Sequence, residues 1–194
     1  MNLYTREEFS VVGLILLAVV GASIPNFATS IMRSRDSQRK NDLGNLKNGL
    51  ASFQSDIGSY PLPSSDGRIL ACDPIERLSP KGESYIEYGP CDWGKDALAD
   101  ELNPSYPDYI ETLPQDLKAQ EGASYLYLSN GSRFQIYAHL EVESDEEYSS
   151  QIVARGLLCG NKICNFGRSS GDTPLEKSIE EYENELLEEK SLLK

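Results

Sequence analysis

Hydrophobic and polar positions divide the chain into five stretches. The first, FSVVGLILLAVVGASIPNFATSIM, carries no charged side chain from Phe9 to Met32. A helix over Phe9–Phe27 would rise roughly 28 Å at ~1.5 Å per residue, close to the ~30 Å hydrocarbon thickness of a bilayer. The pattern predicts one transmembrane span kept as an anchor. Its rival is a cleaved secretory signal, with Ala22-Ser23 or Ala28-Thr29-Ser30 as the cleavage region. A signal would be followed by loop, whereas here a helical pattern continues. Beyond Met32, apolar residues recur at Leu43, Leu46, Leu50, Phe53 and Ile57, one helical stripe between polar residues. Gly44 and Gly49 weaken this half by about 1 kcal/mol each relative to alanine, so packing must hold it.

From residue 58 to 122 the pattern turns irregular. GSYPLPSSDG reads as loop, Ser84–Tyr88 alternates as a short strand would, and KDALADEL (95–102) predicts two turns of helix. Residues 123–170 predict a sheet. Within it, SYLYLSNGSRFQIYAHLEV holds two alternating runs that meet at Asn130-Gly131, the dipeptide of type I′ turns. With a two-residue turn, Tyr127 faces Phe134 and Tyr125 faces Ile136. That face is expected to pack on Leu43, Leu46, Leu50 and Phe53, leaving Arg133, Gln135, Tyr137, His139 and Glu141 on a polar face. Residues 171–194 predict an acidic helix starting at Thr173-Pro174-Leu175-Glu176, with Leu175, Ile179, Tyr182 and Leu186 docked on the chain's own head. The predicted fold is α+β: a long N-terminal helix, membrane half (1–32) and amphipathic half (33–57), packed on a small antiparallel sheet in a head (58–170), then a C-terminal acidic helix.

The helix and its exit carry Arg35, Asp36, Gln38, Arg39, Asp42, Leu43, Leu46, Leu50, Phe53, Asp56, Gly58, Tyr60 and Pro61. Their spacing resembles the helix-to-loop signature of type IV pilins and type II secretion pseudopilins. Tyr4, Glu8 and Pro25 reproduce the spacing at which that family places its mature N-terminal aromatic residue, a glutamate and a proline. Leu3 stands where the family's leader ends in glycine, and Arg6 and Glu7 stand where it has apolar residues. The resemblance implies that the Glu8 carboxylate pairs with the N-terminal amine of a neighbouring subunit. An unpaired acid at membrane depth costs about 2.5–3.5 kcal/mol. The plainer alternative is an acid favourable to the helix dipole at the membrane surface.

Charge sharpens the division. The net charge is −13, and residues 58–194 hold twelve Lys/Arg against twenty-six Asp/Glu. Such a head is a poor grip for phosphates, so no nucleic-acid partner is expected. Arg33, Arg35, Arg39 and Lys40 follow the apolar run, against Arg6 before it. By the positive-inside rule they favour a cytoplasmic head. The cysteines and the resemblance favour the opposite. Cys72, Cys91, Cys159 and Cys164 all lie beyond the run and outside the cytoplasm imply two disulfides. Three connectivities are open, with sequence neighbours favouring Cys72–Cys91 and Cys159–Cys164. A zinc site is the rival, but the spacing C-x4-C lacks a knuckle.

Chemistry is thin. His139, the only histidine, has no nucleophile placed to use it, and no catalytic order or phosphate loop appears. ESDEE (143–147) reads as a solvated acidic turn rather than a calcium loop, and Trp93 as cover for the Cys91 disulfide rather than a ligand platform. Neither enzyme activity nor a cofactor is expected. The resemblance implies a structural subunit of a type IV pilus or pseudopilus-like filament. It would sit as a single-pass protein in membrane lipid before assembly, with its head outside the cytoplasm, and form a homo-oligomer with the help of assembly machinery. The alternative is a membrane-anchored binding protein or adhesin that does not polymerise.

Overall fold

The computed structural model describes residues 6–192, with the side chains at 6–9, 19, 20 and 22–26 outside the description. The fold is α+β. Helix α1, Arg6–Ile57, runs unbroken for 52 residues, about 78 Å at ~1.5 Å per residue. Among the described residues, its second half is the part that packs on the head. There the 3.6-residue repeat buries Leu43, Leu46 and Leu50 completely, while Phe53 is partly covered and stacks edge-on against Tyr109, centroids 5.4 Å apart. Ile57 falls off the end of that stripe and is exposed.

Two small antiparallel sheets and a ribbon make the head. Strands β1 (Leu62–Pro63), β2 (Ile69–Leu78) and β3 (Ser84–Pro90) form one sheet in that order. The stretch after the rod, read as mostly loop, therefore contains a sheet. β2 escaped the alternation signal because its first residues are buried on both faces and its register shifts between Cys72 and Ile75, where Asp73 has φ 48°. KDALADEL is not helical. Leu98 instead forms an isolated bridge with Ile110, which ties this segment to the loop lying on α1.

The second sheet orders β4 (Leu126–Ser129), β5 (Phe134–Ala138) and β8 (Phe166–Ser169), the last named after the ribbon β6 (Leu158–Cys159) and β7 (Lys162–Ile163). The β4–β5 register differs from the two-residue-turn expectation: Ser129 pairs with Phe134 and Tyr127 with Ile136. The Asn130 carboxamide accepts hydrogen bonds from the N–H groups of Ser132 and Arg133, at 3.1 and 2.9 Å, and so holds a four-residue loop. The shift is by two residues, so every side chain keeps its face. Tyr125, Tyr127, Phe134 and Ile136 lie in one core with Leu43, Leu46 and Leu50.

The other face of β5 is not an exposed polar face. Gln135 and Tyr137 are fully buried, because the chain beyond β8 folds back over them. Gln135 Nε2 donates to the Lys177 carbonyl at 2.8 Å, and the Tyr137 hydroxyl to that of Leu175 at 2.9 Å. Short helix α2 (Ser150–Ala154) closes the same side through Ile152. The last helix, α3, spans Ile179–Leu192 and starts later than Thr173. Ser178 and Glu181 form its capping box: Ser178 Oγ accepts from the Glu181 N–H at 3.1 Å and Glu181 accepts from the Ser178 N–H at 2.7 Å. Thr173 is buried in the preceding turn. The start of α3 docks on the head through Ile179 and through Tyr182, which lies under the Arg133 guanidinium at 4.9 Å, while Leu187 and Leu192 are exposed.

Candidate assembly interface

The polar residues of the rod, more than its leucines, decide how the head is mounted. Arg39 is 1% exposed, and its guanidinium donates to Asp116 through Nε (2.7 Å) and Nη2 (3.0 Å), and through Nη1 to Asp36 and Glu141, both at 2.8 Å. Burial works against the charged form, but the bonds to Asp116 and Glu141 outweigh it and raise the Arg39 pKa. Arg35 forks onto Glu141 at 2.6 and 2.5 Å. These bonds hold the Glu141 carboxyl down at about 2, the Arg35 hydrogen bond being the largest cause. Asp36 accepts from the backbone N–H groups of Glu141 and Val142. Asp42 accepts from the Tyr125 hydroxyl at 2.6 Å and from Gln38 at 2.8 Å. The Tyr125 pKa is raised, first by burial and then by that bond.

Lys40 extends the clamp to Asp145 (2.5 Å) and Glu147 (3.2 Å), and Arg168 meets Glu147 at 2.6 Å. The ESDEE stretch is a turn in which Glu143, Ser144 and Glu146 are exposed, while Asp145 and Glu147 are engaged by rod and sheet cations. The basic residues counted as a flank of the apolar run are mostly spent on this clamp. Sequence reasoning placed Arg35, Asp36, Arg39 and Asp42 in the signature, but it missed Asp116 and Glu141, which lie 77 and 102 residues from Arg39.

Two disulfides close the head. Cys72–Cys91 joins β2 to the residue after β3 within the main core, and Cys159–Cys164 crosses the β6–β7 ribbon. Trp93 packs on the core beside the first disulfide and meets Tyr125 edge-on at 5.9 Å. Its Nε1–H is buried with no hydrogen-bond partner among the described residues. His139 donates through Nδ1 to the Ile163 carbonyl at 2.7 Å, which fixes the ribbon against β5. Both residues have packing roles in this geometry.

The clamp leaves the first half of α1 projecting beyond the head. Val11, Leu14, Ile15, Leu16, Leu17 and Phe27 are exposed, Leu17 to 72%. This is the run predicted as a transmembrane span. Among the described residues no helix is long and apolar enough to cross a membrane, and part of the run's side chains, with Phe9, Val19 and Val20, lies outside the description. Tyr4 and the side chains of Glu8 and Pro25, the residues expected to direct assembly, lie outside it too. At the other end of the rod a groove of about 960 Å³ runs between Phe53, Tyr60 and the β2–β3 hairpin, lined by Tyr85, Tyr88 and Leu102. No protein-family model matches this chain, and comparisons with curated proteins and with solved structures find no match either.

Proposed function

We propose that this chain is a structural subunit of a type IV pilus or pseudopilus-like extracellular filament and assembles through its N-terminal helix. The observation that carries the reading is the projecting half of α1, whose apolar side chains are exposed on a helix rigidly clamped to a folded head. Apolar surface on this scale needs a cover. Membrane lipid covers it before assembly, and the same segments of other copies cover it afterwards. The two disulfides support a head that matures outside the cytoplasm, where thiols oxidise. The pilin-like spacing of Tyr4, Glu8 and Pro25 gives the assembly a polar element: Glu8 pairs with the amine of a neighbour and is relieved of its desolvation cost on joining the filament.

Electron microscopy of the surface fraction tests this reading. Thin filaments containing the chain are expected, reduced or lost with Glu8→Ala. Normal filaments in that variant would remove the role given to Glu8. The groove beside the β2–β3 hairpin favours a second reading, an anchored binding protein or adhesin that does not polymerise. Surface-displayed chain without filaments under any condition selects it.

A further inference from the structure

The groove of about 960 Å³ beside the β2–β3 hairpin has one fixed wall and one projecting wall. On the fixed wall, Tyr60 follows the end of α1, its N–H donating to the Gly131 carbonyl at 2.8 Å and its ring meeting Phe134 edge-on at 4.8 Å. Pro61 is buried, its carbonyl accepting from the Tyr127 hydroxyl at 2.8 Å, and Pro63 pairs with Ile69 of β2. The projecting wall is the hairpin, whose Ile75 and Tyr85 are exposed to 51% and 50%. Pro90 lies at its base, next to the Cys72–Cys91 disulfide. Tyrosine and proline lose little conformational freedom on burial, so a groove built from them is organised before anything binds.

The polar groups of the groove are unevenly paired. Arg68 is bonded to Asp66 and Asp92, and Arg77 to Glu87. Asp100 and Glu101, which also line the groove, have no ion-pair partner among the described residues. Burial raises the Tyr88 pKa, and the charges of Asp100 and Glu101 raise it further. The hydroxyls of Tyr60, Tyr85 and Tyr88 have no hydrogen-bond partner among the described residues. An apolar surface with unused neutral donors thus lies beside negative charge that no cation offsets.

We propose that this groove binds an extended, proline-rich segment of another protein that bears an arginine or lysine. A polyproline II chain makes no internal hydrogen bonds and its prolines have no N–H, so its carbonyls need donors from the site. The tyrosine hydroxyls supply them while the rings pack against the prolyl rings. The basic residue of the ligand meets Asp100 and Glu101. Those carboxylates repel nucleic acid. A neutral glycan stacks on tyrosines but leaves both carboxylates without a cation. The site is independent of whether copies of the chain polymerise.

The probe is a fluorescent peptide of about nine prolines, roughly 28 Å at ~3.1 Å per residue, with an arginine at each end so that either direction of entry brings one to the carboxylates. Fluorescence anisotropy is measured with the full chain in detergent, alongside the same peptide ended by glutamates and a labelled neutral cellulose-derived oligosaccharide. Saturable binding of the arginine peptide is expected, weakened by added salt. A loss of at least about tenfold is expected in Tyr88→Ala and in Asp100→Asn with Glu101→Gln. Tyr88→Phe, which keeps the ring, is expected to fall between native and Tyr88→Ala. Both disulfides intact on a non-reducing gel confirm that each variant is folded. No saturable binding to the native chain, equal binding of the two peptides, or unchanged affinity in the double variant overturns the proposal. Saturable binding of the oligosaccharide in place of the peptide overturns it too and makes the groove a glycan site.

Discussion

Arg39 on the rod and Asp116 in the head meet through two parallel hydrogen bonds, Nε to Oδ2 at 2.7 Å and Nη2 to Oδ1 at 3.0 Å, with both side chains 1% exposed. A bidentate pair this deep fixes orientation as well as distance. It sets the angle at which the head leaves the rod. Removing one partner strands the other charge, so Arg39→Met is expected to destabilise the protein by about 3–5 kcal/mol. Asp116→Leu added to Arg39→Met recovers part of that loss. Denaturant unfolding of the four chains of the double-mutant cycle measures it, and strict additivity would show that the pair is not coupled.

The clamp also predicts an acid limit. Folding lowers Glu141 from 4.5 to about 2, so its contribution is complete above the unfolded value and is lost as pH falls from about 4.5 to about 2. Asp145 and Glu147 are lowered too, Asp145 first by its bond to Lys40, and Glu147 by Arg168 and Lys40 against burial. For Glu141 the loss is on the order of 3 kcal/mol. Thermal melts from pH 6 to pH 2.5 are expected to fall steeply below pH 4.5 in the native chain and less steeply in Glu141→Gln. Parallel curves would contradict this.

The two glycines of the amphipathic half separate in their roles. A Cβ at Gly44 meets nothing within 4 Å, whereas one at Gly49 would lie 2.4 Å from Ile110 Cγ1 and 3.3 Å from the Tyr109 carbonyl oxygen. Gly44→Ala is expected to stabilise by up to about 1 kcal/mol through helix propensity. Gly49→Ala is expected to destabilise, because Ile110 is held by its bridge to Leu98. Melting temperatures that shift in the same direction for both would refute the close packing at Gly49.

Cys72–Cys91 closes a loop of 19 residues inside the main core. Replacing both cysteines with alanine is expected to cost about 3 kcal/mol, with the helix clamp left in place. Denaturant midpoints of the variant and the native chain measure this. Equal midpoints would place the bridge outside the cooperative unit.

Local signals in the sequence showed the helical stripe and the hairpin because both are periodic. Leu43, Leu46 and Leu50 lie in one core with Tyr125 and Phe134. Register escaped by two residues, because the Asn130 carboxamide rather than the Asn-Gly dipeptide decides the loop. β2 escaped because a bulge at Asp73 breaks alternation. The clamp was legible on one side only: Arg39 stood in a recognised pattern, but nothing local marks Asp116 or Glu141 as its partners across so much intervening chain. Gln135 and Tyr137 looked solvent-facing because their cover, the segment leading into α3, arrives from about forty residues away.

In the proposed filament, the projecting half of α1 joins one copy to the next. Immunogold electron microscopy with antibody to the head, on cells carrying the native chain or Leu14→Asp with Leu17→Asp, tests it most directly. Labelled filaments are expected for the native chain and their loss in the variant, with the variant still present and both disulfides formed. Label scattered singly over cells carrying the native chain, or filaments equally abundant in the variant, would contradict it.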